Sequence, residues 1–313
     1  MKNYKIIFIL GTGHSGSTLI DMILGTSPET FSAGELAFFS HYVTQTPHKK
    51  IDKNIGYTCT CGKSVQDCSF WKRVNKKINE PWPIIKNRGS IDTYKIFLNI
   101  LNPFEKKLSF NTNISSNKKV YDTIYQEAKK TKPRLKYIID SSKDPRRLYE
   151  ILKDTSINNK DIYVLYLYRN AESYLNSYKK DIKTISGVQP RNMFITLIEW
   201  AAVHVASRRM IRKYKLKHRV ITYSSFCNNP LGHVSNLKQF LNIKIYDKNI
   251  IKRVNTSHYH NIHGSLSRFY DYDAIREDVS WKNNLSLTEK AISGLFSLPF
   301  RLVQKYTEVP YSL

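Results

Sequence analysis

A chain of 313 residues allows one large domain or two ordinary ones and is long enough to bury a sizeable core. Hydrophobic residues make up 41% and charged residues 24%, which excludes a disordered chain, and 12 glycines with 11 prolines exclude collagen-like and Pro-rich linker architectures. Lys+Arg 50 against Asp+Glu 25 gives +25, a charge that attracts anions: nucleic acid, phosphate- or sulfate-bearing cofactors, acidic glycans or membrane headgroups.

Lys, Asn and Ile are all abundant and all have A/T-rich codons, so genome bias could supply part of that charge, which weakens a functional reading of it. The 4 cysteines are too few for a disulfide scaffold in a chain this long. Residues 6–10 form a short apolar run that ends in a glycine turn. A secretory segment takes about 7–15 apolar residues and a spanning helix roughly 18. The expectation is a soluble, cytoplasmic protein with no membrane span.

In chain order, residues 5–10 are apolar and β-branched, as in a buried parallel strand. Ser17–Gly25 follows with Leu19, Ile20, Ile23 and Leu24 at helical spacing. Residues 44–118 break the rhythm and are expected to be an insertion with its own helices, one around 91–101. Residues 137–139, 163–168 and 219–223 are further buried strands. Helical stretches follow each: Pro145–Lys153, 171–183 and Pro230–Leu241. A long helix is expected over 192–214, with Phe194, Leu197, Ile198, Ala201, Val205 and Met210 on its apolar face. Residues 254–285 read as irregular, and a last helix covers Leu287–Lys305. There is no internal repeat. This alternation predicts an α/β fold: a P-loop-like, doubly wound parallel sheet with helices on both faces and a largely helical insertion. One domain over 1–313, with insertion 44–118, is the expected organisation.

The first motif is Gly11-Thr12-Gly13-His14-Ser15-Gly16-Ser17-Thr18, between the first strand and the first helix. A nucleotide-triphosphatase loop reads G-x-x-x-x-G-K-[ST]. Gly11, Gly16 and Thr18 fit, but Ser17 replaces the lysine. Close backbone approach and helix N-terminal N–H groups still suit one phosphate-like group. Magnesium-dependent hydrolysis is disfavoured. The alternative is an ordinary Gly-rich turn.

The stretch GTGHSGSTLIDMILGTSP at 11–28 resembles the 5′-phosphosulfate loop of sulfotransferases that use 3′-phosphoadenosine 5′-phosphosulfate (PAPS). The resemblance continues in order through SAGEL at 32–36, CTCG at 59–62, CSFW at 68–71, DSSK at 140–143, and YRNA at 168–171 with Ser177. A weaker likeness covers 258–281. The loop and the AGEL stretch also resemble carbohydrate and tyrosylprotein sulfotransferases. The resemblance implies a sulfotransferase, with PAPS as co-substrate and 3′-phosphoadenosine 5′-phosphate (PAP) as product.

In that family an Arg and a Ser hold the 3′-phosphate; the matching residues are Arg169 and Ser177. Arginine's planar fork suits phosphate, and Arg169 sits directly after a buried strand, at the edge where open α/β sheets bind ligands. Arg169-Asn170-Ala171 departs from the usual Arg-Asp-Pro, though Asn can still cap the following helix. Gly264 and Arg268 resemble the family's C-terminal nucleotide loop, with Ser265 in place of its Asn. Asp278 and Trp281 follow, Trp281 being expected to pack rather than bind.

Sulfuryl transfer needs a base for the acceptor's proton and cations for the transferring charge. Glu35 resembles the catalytic glutamate of the tyrosylprotein enzymes. His14 could donate to the sulfate, or be the base with Glu35 orienting it. Lys143 resembles a lysine near the transferring group. Arg146 and Arg147 are either acceptor contacts or a solvated face. The acceptor is open: carbohydrate, lipid, peptide or small metabolite. No metal is required, and none is assigned to Cys59, Cys61 and Cys68: C-x-C-G-x5-C is not a standard zinc spacing and no fourth ligand lies nearby in sequence. A knuckle of reduced thiols or a labile disulfide is the expectation there, and Cys227 is a core residue. Two rivals remain. A small-molecule or nucleotide kinase would need the missing loop lysine. A basic nucleic-acid-binding protein would use the 7 Lys/Arg of residues 208–219, but no recognised nucleic-acid motif accompanies them.

Overall fold

The computed structural model describes residues 4–39, 58–78, 116–184, 192–245 and 249–305. The expected helix at 91–101 and most of the insertion lie outside them. Five strands form one parallel sheet in the order β2-β3-β1-β4-β5. They are β1 (Lys5–Gly11), β2 (Thr30–Ser32), β3 (Tyr137–Lys143), β4 (Ile162–Tyr168) and β5 (Lys217–Thr222).

Strand side chains alternate, so a strand apolar at every position must be covered on both faces. β1 shows this directly. Ile6, Phe8 and Leu10 join one core with α2 (Ser69–Ile78), α3 (Asn117–Lys129) and α4 (Pro145–Lys153). Ile7 and Ile9 join the other, with α1 (Ser17–Gly25) and α8 (Pro230–Leu241). The remaining helices are α5 (Ala171–Thr184), α6 (Met193–Lys213), α7 (Tyr223–Asn228), α9 (Ile250–Thr256), α10 (Trp281–Asn284) and α11 (Leu287–Lys305). Leaving β1, the chain winds to one side through β2 and β3, then crosses to β4 and β5. The C-terminal end of β1 is therefore the switch point, where open sheets leave a crevice for ligands.

Three points of the sequence reading need correction. β2 was not anticipated. The apolar face of α6 is shifted from the expected one: Leu197 and Met210 are buried as expected, but Trp200, His204 and Ser207 are 0% exposed, while Phe194 and Ile198 are 50% and 48% exposed. A tryptophan and a histidine carry the buried stripe instead of the aliphatic pattern. His204 accepts or donates at Nδ1 to Tyr166 Oη at 2.7 Å, and burial pushes its imidazole down to about 3, so it is neutral. Cys227 is half-buried against the second core rather than within it. Trp281 packs against the cluster of α5, α6 and α11. Among the described residues no helix is long and apolar enough to cross a membrane.

Candidate active site

The β1–α1 loop is built to face an anion. Gly16 caps α1 with φ 82°, no side chain caps the helix, and no acid lies in its first turn. The positive end of the helix dipole is thus unopposed. Ser15 Oγ braces the loop by donating to Thr12 O at 2.8 Å. Thr12 Oγ1 is buried with no hydrogen-bond partner among the described residues, and a side chain on Gly13 would meet nothing within 4 Å.

Arg169 closes the other side. It is 6% exposed, and its guanidinium lies over the Tyr223 ring at 4.3 Å. Nη1 donates to His14 O at 2.5 Å, and Nη2 to Asp278 O at 3.4 Å. Its nearest carboxylate contact, Asp278 Oδ2, is at 3.7 Å, and Nε is buried without a partner among the described residues. A buried guanidinium with one distant, half-exposed counter-ion is poorly compensated. Burial pushes the Asp278 carboxyl up, but hydrogen bonds from Ser280 and Lys180 outweigh it and hold it at about 2. Asn176 and Lys180 of α5 both bond Ser280, so the buried Ser177 stands on the turn that faces the 278–280 segment. His14 itself is exposed, with its ring 6.4 Å from Tyr174.

Glu35 follows β2 and is held by backbone pairing to a distant segment. Its N–H donates to Ile262 O at 2.8 Å, and Ile262 N–H donates to Ala33 O at 3.2 Å. Gly34 between them has φ 79°, and a Cβ there would lie 2.3 Å from Ile262 O, so only glycine fits. Glu35 is 4% exposed and its Oε1 is ion-paired with Lys143 Nζ. His263 Nε2 lies 3.8 Å from Oε2, with its ring stacked on Phe38 at 3.8 Å. Lys143, His14 and His263 all hold positive φ (65°, 59° and 56°). Such strain in non-glycine residues persists where the surroundings enforce it, commonly at functional sites.

Gly264 joins the two halves. A Cβ at Gly264 would lie 3.3 Å from Thr18 Oγ1, 3.5 Å from Glu35 Oε1 and 3.9 Å from Arg268 Nη1. Ser265 N–H donates to Thr18 Oγ1 at 3.3 Å. Arg268 is buried and spans the loop, donating to Gly264 O at 2.9 Å and Thr58 O at 3.1 Å. His263 and Tyr223 were not singled out from sequence. His263 opens the loop motif that carries Gly264, and Tyr223 ends the expected strand 219–223; those were the available signals, though neither residue was given a role.

Other cations are committed elsewhere. Arg147 is 2% exposed, 3.5 Å from Asp140 and bonded to Asn117, so it cannot meet an acceptor. Arg146 pairs with Asp144 at 2.6 Å. The absence of a fourth ligand near the cysteines is also corrected: His260 brings its Nδ1 to 3.7 Å from Cys59 Sγ and 3.4 Å from Cys68 Sγ. The separation in sequence had hidden it.

No protein-family model matches the chain, and no curated protein does. Solved structures do. A sulfotransferase domain from the curacin biosynthetic pathway superposes with a TM-score of 0.54 at 17% identity, over 99% of this chain and 100% of that one. A sulfotransferase domain from the olefin synthase of Synechococcus PCC 7002 gives a TM-score of 0.56 at 16% identity, over 96% of each chain. The chain has the α/β fold of sulfotransferase domains.

Proposed function

We propose that residues 1–313 form one PAPS-dependent sulfotransferase domain that transfers a sulfuryl group in line to a hydroxyl or amine acceptor and releases PAP. The observation that carries this reading is the approach of the anion loop to a buried carboxylate–lysine pair. A Cβ on Gly264 would touch both Thr18 Oγ1 and Glu35 Oε1, within 3.3 and 3.5 Å. The residues present suit the donor: Thr12 Oγ1 and Arg169 Nε are buried polar atoms that a phosphate-bearing ligand would satisfy.

PAPS supplies the activated sulfuryl group. In this reading the N–H groups of Gly13–Thr18 and the start of α1 hold its 5′-phosphosulfate. Arg169 and Ser177 hold the 3′-phosphate, and Gly264 and Arg268 shape the nucleotide loop. Glu35 takes the acceptor's proton at a carboxylate oxygen. Lys143 pairs with Glu35 and offers positive charge beside the transferring group, the electrostatic part of the catalysis. His263 steadies the second oxygen of Glu35, and His14 lies at the mouth of the loop.

The kinase alternative draws no support. The loop lysine is Ser17, and Thr18 Oγ1 already accepts the Ser265 N–H. Asp140, midway along the neighbouring strand β3, is fully buried in bonds from Tyr121 and Ser142. Nor does the basic run favour nucleic acid: Arg208 lies over Phe300, Lys217 over Tyr163 and Arg219 over Phe240.

Calorimetric titration with PAP, with ADP as control and no magnesium, tests the reading. Micromolar PAP binding with ADP at least about tenfold weaker is expected, since one charged hydrogen bond is worth roughly 1.5–3 kcal/mol. Folded protein that binds no PAP overturns it. Glu35→Gln should keep PAP affinity and slow transfer by about 10²–10⁴-fold. A fully active Gln variant moves the base to His14 or His263.

A further inference from the structure

Cys59, Cys61, Cys68 and His260 bring one ligand atom each to within 4.8 Å of one another. We infer that these four side chains bind one Zn²⁺ in a closed, structural Cys3His site.

The separations fit. Zn–S bonds of about 2.3 Å and Zn–N bonds of 2.0–2.1 Å, at the tetrahedral angle, place S and N about 3.6 Å apart. The observed Sγ to Nδ1 distances are 3.4 Å for Cys68 and 3.7 Å for Cys59. Three thiol sulfurs gain little from one another in an apolar setting, because S–H groups are weak donors. A soft cation explains their convergence, and a sulfur-rich tetrahedral donor set selects zinc over magnesium, calcium or manganese.

The backbone is shaped for it. Thr58 pairs with Ser64, Cys59 N–H donates to Lys63 O at 2.8 Å, and Gly62 N–H donates to Cys59 O at 2.9 Å. Gly62 takes φ 85° to close this turn, which presents Cys59 and Cys61 together. Cys68 stands one residue before α2, and its N–H donates to Ser64 O at 2.8 Å. The imidazole and its backbone are held in place by neighbouring aromatic residues. Phe70 stacks on it at 5.2 Å with an 11° interplanar angle, and Trp71 Nε1 donates to His260 O at 2.7 Å. Nδ1 faces the sulfurs, so the tautomer protonated at Nε2 is the ligand.

Four protein ligands fill the tetrahedron, so this zinc has no position for substrate and takes no part in sulfuryl transfer. Its effect is on architecture. Asn261 exchanges hydrogen bonds with Thr60 at 3.2 and 2.9 Å, and Ile262 pairs with Ala33 and Glu35. Zinc therefore fastens the 58–68 knuckle to the strip that carries His263 and Gly264 past Glu35. The inference stands whether or not the protein transfers sulfate.

Metal content is the readout. Full-length protein, reconstituted with zinc under reducing conditions and dialysed against metal-free buffer, should hold one zinc per chain by elemental mass spectrometry. Cys61→Ser alters an exposed side chain, and His260→Ala a half-exposed one; each should drop below about a tenth of an equivalent, because site and fold are coupled. Cys227→Ser should retain the full equivalent. Exchange of Co²⁺ into the unaltered protein needs no variant and should give the visible absorption of a tetrahedral thiolate site. Three results overturn the inference: reconstituted protein without zinc, a disulfide among Cys59, Cys61 and Cys68 that persists in folded protein under reducing conditions, or full zinc in both ligand variants.

Discussion

Arg169 is the side chain whose removal tests most directly what the crevice holds. It bonds His14 O, covers Tyr223 and leaves Nε without a partner among the described residues. Arg169→Ala should weaken PAP binding by about 10–100-fold, the scale of one charged hydrogen bond at roughly 1.5–3 kcal/mol. Arg169→Lys should recover only part of that loss, because a lysine keeps the charge but loses the planar fork and the stacking. Titration calorimetry of both variants separates the cases: unchanged affinity in the Ala variant removes Arg169 from the nucleotide site, and full recovery by Lys makes it a point charge. The position of Arg169 was legible in sequence, since a cation directly after a wholly apolar strand lies at the sheet's C-terminal edge. Its surroundings were not, because Tyr223 and Asp278 come from segments that only the fold brings to it.

Elements were legible where one period dominates. β1 and β4 carry long apolar runs and β3 opens on a short one, Tyr137–Ile139, so their presence could be read directly, whereas the polar second half of β3, Asp140–Lys143, could not; β2 is Thr30-Phe31-Ser32, too short and too polar to show a strand pattern. In α6 the boundaries were legible but the face was not. Its aliphatic residues Ile195 and Ile198 are 45% and 48% exposed, whereas Trp200 is 0% exposed and donates from Nε1 to Arg169 O at 3.0 Å. Trp200 also packs edge-on to His204 and Phe300, with centroids 4.7 and 5.0 Å away. Trp200→Ala should therefore cost about 3–5 kcal/mol, as other buried aromatic truncations do. Phe194→Ala, at a 50% exposed position, should stay within about 0.5 kcal/mol. Urea denaturation of the two variants decides it. Equal losses would mean that α6 presents the aliphatic face which its sequence pattern suggests.

At the scale of the whole molecule, the decisive contacts join segments far apart in the chain, and no local pattern could show them. His260 meets the cysteines, Ile262 meets Gly34, and Asn261 meets Ser32. The last contact belongs to a buried chain with a consequence for global stability. Asp21 of α1 is 1% exposed, with Ser32 Oγ at 2.5 Å and Ser141 Oγ at 2.7 Å. Ser32 has one proton and two acceptors, since Asn261 Oδ1 also lies at 2.8 Å. When Asp21 is protonated, its carboxyl can donate to Ser32, which is then free to donate to Asn261. Burial pushes the Asp21 carboxyl up to about 7, against the downward pull of the Ser32 and Ser141 hydrogen bonds. An unfolded aspartate releases its proton near 3.9. Between about pH 4 and pH 7 the folded state thus binds more protons than the unfolded state, and stability falls as pH rises, by roughly 1.4 kcal/mol per unit from this group. Asp21→Asn keeps a donor toward Ser32 and cannot ionise. The stability difference, variant minus unaltered protein, should therefore climb with pH across that window and level off above it. Denaturation series at pH 4, 5.5, 7 and 8.5 measure this difference, in which the other titrating groups cancel. A difference that does not change with pH would return Asp21 to an ordinary carboxylate and leave Ser32 as the donor between α1 and the 260s strip.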